Sequence, residues 1–130
     1  MIVVDASALL EALLRTPAAD VVGVRLFAPG QTLHAPHLLD VELAHVIRCY
    51  AAAGEIDGER GRVALADLAD LRLLRYPHDI LLPRIWDLRH NLSAYDAAYV
   101  ALAEALDAPL ITRDRRLAAA AGHRARIELV

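Results

Sequence analysis

Three apolar residues, Ile2-Val3-Val4, run directly into a carboxylate, Asp5. An unbroken run of β-branched residues suits a strand buried on both faces, as in parallel sheets. Parallel neighbours are reached only through crossovers, so such a strand demands helices alternating with further short strands. Parallel sheets also place ligand sites just beyond the carboxyl ends of their strands, where Asp5 would stand.

The rest of the chain supplies the alternation. Residues 6–15 carry Leu9, Leu10, Leu13 and Leu14 as a helical stripe. Thr16-Pro17 reads as a capping hydroxyl followed by proline at the first helical position, so a second helix is expected to about Phe27, before the Pro29-Gly30 turn. Thr32 to Ala35 is a strand candidate ended by Pro36. Residues 37–53 form a long helix stopped by Gly54, and Asp57 caps another that runs to Leu71. Residues 72–76 are a strand candidate, followed by helix from about Ile80 to His90. Residues 94–107 form an Ala-rich helix, residues 109–112 a buried strand, residues 114–121 a short helix closed by Gly122, and residues 126–130 an edge strand. The pattern predicts an α/β fold with a parallel sheet of about five short strands, in one domain over residues 1–130.

Composition removes several functions. No apolar stretch reaches the ~18 residues of a membrane span. No basic segment leads into an apolar core, so no secretory leader is expected. Cys49 is the only cysteine, which excludes an intrachain disulfide and a multi-cysteine zinc site and fits a reducing cytoplasm. All 14 cations are arginine. Without lysine there is no phosphate-loop lysine, no Schiff base and no receiver-domain lysine. The net charge of −3 gives no general attraction for nucleic acid, although local arginines and bound metal decide the field at a site.

Four carboxylates stand out. Asp5 and Asp114 each follow an apolar run with a small hydroxyl nearby, Ser7 or Thr112, and each precedes a helix; N-capping and function suit both. Glu42 shares a helix side with Leu39 and Val46, whereas Asp40 points more toward the polar side with Arg48. A carboxylate beside a core-facing stripe must be paired, metal-bound or protonated, unless it reaches water from the stripe's edge. Asp96 is the only charge in AYDAAYVALA, a segment whose Tyr95, Tyr99 and Val100 suggest burial. A capping arrangement with Ser93 also accounts for it. If the four converge, protons or cations must offset their repulsion, which is ~4 kcal/mol for two charges ~4 Å apart at an effective dielectric near 20. All-oxygen ligand sets favour Mg²⁺ or Mn²⁺, and paired ions of this kind serve phosphodiester hydrolysis.

These segments resemble the PIN-domain ribonucleases, most closely the VapC-type toxins of bacterial toxin–antitoxin modules. The resemblance rests on Ile2 to Ser7, on Pro36 to Glu42 opening a long helix, on Ser93 to Ala103 and on Pro109 to Asp114, in that order. The family's acidic positions match Asp5, Glu42, Asp96 and Asp114, and its hydroxyl before the last aspartate matches Thr112. The resemblance implies a Rossmann-like, three-layer α/β/α sandwich, a metal-dependent endoribonuclease using Mg²⁺ or Mn²⁺, an RNA substrate, a cognate antitoxin protein and a homodimer. Ser7 and Thr112 are expected to support the metal ligands.

Competing features are weaker. Arg113, Arg115 and Arg116 could contact RNA phosphates or simply be solvated. The six histidines form no metal set, and Gly54, Gly58 and Gly61 lack the lysine and preceding strand of a phosphate loop. Trp86 is expected in the core or an interface, and Cys49 in inert packing. An aspartyl phosphatase would want a second aspartate at position 7 and a lysine. The remaining alternative is a catalytically silent PIN-like module that binds protein or RNA; four mutually repelling carboxylates argue against it.

Overall fold

The computed structural model describes all 130 residues. Strands β1 (Ile2–Val4), β2 (Leu33–Pro36), β3 (Leu73–Tyr76), β4 (Leu110–Thr112) and β5 (Ile127–Leu129) form one sheet in the order β3-β2-β1-β4-β5. Every neighbouring pair is parallel. β1 is central, with Val3 opposite His34 on one side and Leu110 on the other. All three residues of β1 are fully buried, which is why the run is continuous rather than alternating.

Seven helices complete an α/β sandwich: α1 (Ala6–Leu14), α2 (Ala19–Leu26), α3 (Leu38–Ala52), α4 (Gly58–Asp70), α5 (Leu82–Asp87), α6 (Ala94–Leu106) and α7 (Arg115–Ala118). The first four pack on one another, while α6 lies across β1, β2 and β4 with α5 against it. Residues 97–103 of α6 are all buried, and four of the seven are alanine, so the helix can approach the sheet closely. Leu9 and Leu43 are buried completely in the same apolar core. Burying such a side chain stabilises the fold by about 1.5–3 kcal/mol.

Some boundaries differ from the expected ones. α2 begins at Ala19, not Pro17, because the Thr16 hydroxyl accepts the Ala18 N–H and bonds Glu11 instead of capping the helix. The expected helix over 80–90 divides into a 3₁₀ turn (Asp79–Leu81) and the short α5, with Pro83 in its first turn. α7 stops at Ala118. Asp57 does cap α4, accepting the Arg60 N–H at 2.6 Å.

Candidate metal centre

The carboxyl ends of β1 and β4 meet at one edge of the sheet, and their side chains lock the two strands together. Asp5 is 6% exposed. Its Oδ1 accepts the Ala8 N–H at 3.1 Å and the Ser7 hydroxyl at 2.6 Å, and its Oδ2 accepts the Thr112 hydroxyl at 2.5 Å. Ser7 Oγ in turn accepts the Arg113 N–H at 2.8 Å, and Thr112 Oγ1 accepts the Asp114 N–H at 2.9 Å. Each hydroxyl thus gives its one proton to Asp5 and uses a lone pair on the loop after β4. Capping and site-building hold together: Asp5 caps α1 while its carboxylate is fixed at the sheet edge. Burial raises its pKa above the usual aspartate range, against the lowering effect of the Ser7 and Thr112 bonds.

Asp114 caps α7, with Oδ1 accepting N–H groups from Arg116 at 2.8 Å and Leu117 at 3.3 Å. Asp96 lies in the first turn of α6, where Ser93 Oγ accepts its N–H at 3.2 Å. Tyr95 beside it is exposed, so α6 starts at the surface and its burial begins at Ala97, contrary to the burial expected at Tyr95. Burial first, and the nearby Asp114 second, push the Asp96 carboxyl up.

Glu42 reaches in from α3. Its Oε2 accepts the Tyr99 hydroxyl at 3.3 Å, while Oε1 is buried without any partner. Burial lifts its pKa from 4.5 to about 7; the Tyr99 bond opposes the rise, and Asp5 and Asp96 add to it. The Tyr99 phenol is pushed up by burial and by the same carboxylates. In the sequence Tyr99 signals only burial. Its spacing of three from Asp96, on the same helix face, was the available signal.

Asp5, Glu42, Asp96 and Asp114 all line one cavity of about 330 Å³, with Ser7 and Tyr99, and with Leu10, Val46 and Tyr50 among its apolar lining. They border a shared space without closing on a point: no three His, Cys, Asp or Glu side chains approach closely enough to form a ready-made cage. Their mutual repulsion favours that separation. The donor set is all oxygen and includes an orphaned buried one, Glu42 Oε1, which fits a hard divalent cation.

Other expected residues fall elsewhere. Asp40, expected toward the polar side of α3, pairs there with Arg75 at 2.7 and 2.9 Å. Trp86 is exposed with Arg89 stacked on its ring, and Cys49 is exposed. Exposure removes the core alternative for Trp86, expected in the core or an interface, and corrects the inert packing expected for Cys49. Arg113 donates to the Val130 carbonyl at 2.6 Å and lies 3.5 Å from Glu11, whereas Arg115 and Arg116 are exposed beside Asp114. His34 is buried between Thr32 and Tyr76, at 2.9 and 2.7 Å.

Comparison with known proteins agrees with this architecture. The PIN domain family model matches residues 2–123. The chain is 47% identical over 129 residues to Ribonuclease VapC1 of Mycobacterium tuberculosis, an alignment covering 98% of this chain and 96% of that protein. Its fold is similar to the crystal structure of M. tuberculosis VapC20, described as a sarcin-ricin loop cleaving toxin, with a TM-score of 0.71, 16% identity, and coverage of 95% and 97% of the two chains. It is equally similar to VapBC2 from Rickettsia felis bound to a DNA fragment from their promoter, with a TM-score of 0.71, 16% identity, and coverage of 99% and 98%.

Proposed function

This chain belongs to the PIN-domain family, and from that membership we propose that it is an endoribonuclease, the toxin of a toxin–antitoxin pair. One observation carries the chemical reading: four carboxylates from β1, α3, α6 and the β4 exit line a single cavity. In it Asp5, Glu42, Asp96 and Asp114 would hold divalent cation, Mg²⁺ or Mn²⁺. Such a cation lowers the pKa of water and offsets charge developing at phosphorus and the leaving oxygen.

The protein's own groups supply placement. Asp5 is the rigid corner, because three donors fix both of its oxygens. Asp114 spends Oδ1 on its helix cap, which leaves Oδ2 for the cavity. Ser7 and Thr112 orient Asp5. Arg115 and Arg116, exposed next to Asp114, would meet RNA phosphates. The whole of residues 1–130 acts as one nuclease domain, with a cognate antitoxin protein as partner and a homodimer as the working form. No helix is long and apolar enough to cross a membrane, in keeping with a cytoplasmic toxin.

The test is RNA cleavage by purified protein. EDTA is expected to stop it, and Mg²⁺ or Mn²⁺ to restore it. Asp5→Asn and Asp96→Asn are each expected to abolish cleavage while the circular-dichroism spectrum stays native. Full cleavage by either variant, or activity that persists in EDTA, refutes the metal-dependent mechanism. A folded wild-type chain that binds RNA and never cleaves it supports the silent binding module instead.

A further inference from the structure

Tyr99 is the largest of the fully buried side chains, yet it carries a hydroxyl. A buried phenol O–H needs an acceptor, and Glu42 Oε2, 3.3 Å away, is the only one it has. Glu42 itself is a long side chain from another helix, with enough rotamer freedom to swing toward water. Nothing else in the protein bonds its carboxylate, since Oε1 has no partner. The Tyr99 ring, packed in the core one turn beyond Asp96, is therefore the sole fixed point for the Glu42 carboxylate.

We propose that the Tyr99 hydroxyl is a positioning group for cation binding: by donating to Glu42 Oε2 it holds this carboxylate in the cavity and leaves Oε1 as the free ligand atom. The proposal rests on the metal-dependent reading above and adds to it a residue that is not itself a carboxylate. It also ties α3 to α6, so that Glu42 and Asp96 keep a fixed relation across the cavity. Partners of this kind that orient metal ligands typically contribute 10- to 100-fold to affinity. The length of this bond places Tyr99 toward the lower end.

The experiment measures Mn²⁺ uptake by electron paramagnetic resonance, counting free ion in the full-length protein at fixed pH without RNA. Tyr99→Phe keeps the ring and removes only the donor. We expect about 10-fold weaker Mn²⁺ binding. In a Glu42→Gln background, which itself binds Mn²⁺ more weakly, the same change is expected to have no further effect, because the ligand it positions is gone. A structural role for the hydroxyl would weaken binding equally in both backgrounds, and that result overturns the proposal. So does a Tyr99→Phe protein that binds Mn²⁺ as tightly as the parent. Wild-type protein that takes up no Mn²⁺ overturns the metal reading together with this one, and Glu42→Gln binding as tightly as wild type removes Glu42 from the ligand set. If Tyr99→Phe melts early, both backgrounds are measured well below the transition, and the comparison between them still decides.

Discussion

Replacing Glu42 with glutamine in metal-free protein tests the electrostatics of the cavity without any assay of cleavage. Burial raises the folded-state pKa of Glu42 from 4.5 to about 7. Between those values the folded chain holds more proton than the unfolded one, so stability falls as pH rises through the window. Below pH 4.5 Glu42 is neutral in both states and the substitution is expected to change little. Above pH 7 the folded chain carries a poorly solvated charge that glutamine lacks. At ~1.4 kcal/mol per pKa unit the shift corresponds to at most about 3 kcal/mol. Glu42 is only half-buried, so solvent screening reduces this to about 1–2 kcal/mol. For a domain of this size that is roughly 3–8 °C in melting temperature. The assay is thermal unfolding in EDTA at pH 4.5, 6 and 8, followed by circular dichroism. Asp5 and Asp96 titrate too, but they are present in both proteins and cancel to first order in the difference. The glutamine variant should be the more stable at pH 8, and its advantage should shrink toward pH 4.5. A pH-independent difference, or one of opposite sign, refutes the reasoning. With saturating Mn²⁺ the order is expected to reverse, because the wild-type carboxylate then has a partner.

Thr112→Val preserves shape but removes the donor to Asp5 and the acceptor for the Asp114 N–H, and is expected to destabilise by about 2 kcal/mol in urea melts and to weaken cleavage. His34 titrates the other way from Glu42: burial lowers its pKa below the usual 6.5, so its neutral form is favoured in the fold and stability is lost as pH falls below 6.5. His34→Gln should flatten the acid side of the stability profile while leaving the Glu42-dependent loss at higher pH in place. Unchanged acid sensitivity in that variant would assign the effect to another group.

How far the sequence speaks depends on where the physics is local. β1 and β4 are legible because burial on both faces requires unbroken apolar runs, and Ile2–Val4 and Leu110-Ile111 carry them. Glu42 and Asp96 stand out by conflict, a charge where the helix pattern asks for an apolar residue, whereas Asp5 and Asp114 stand out by position at the exits of two apolar strands, and the structure brings all four to one cavity. The misses involve distant partners. Asp40 is placed on the polar side of its helix by the pattern, but its mate is Arg75, 35 residues away on β3. Tyr99 and Glu42 are 57 residues apart, and no periodicity joins them. One further miss is local: Thr16-Pro17 has a strong capping signature, yet the neighbouring Glu11 and Ala18 claim the hydroxyl.

The lock between Asp5 and Thr112 spans 107 residues of chain. Asp5 is therefore synthesised 107 residues before the Thr112 hydroxyl that holds its second oxygen. A nascent chain cannot assemble the cavity until β4 has emerged and slotted in beside β1, however well its earlier helices have formed. On the proposed hydrolytic reading, the protein's own topology withholds activity until β4 is made, and a ribosome stalled before Thr112 releases a product that cannot cut.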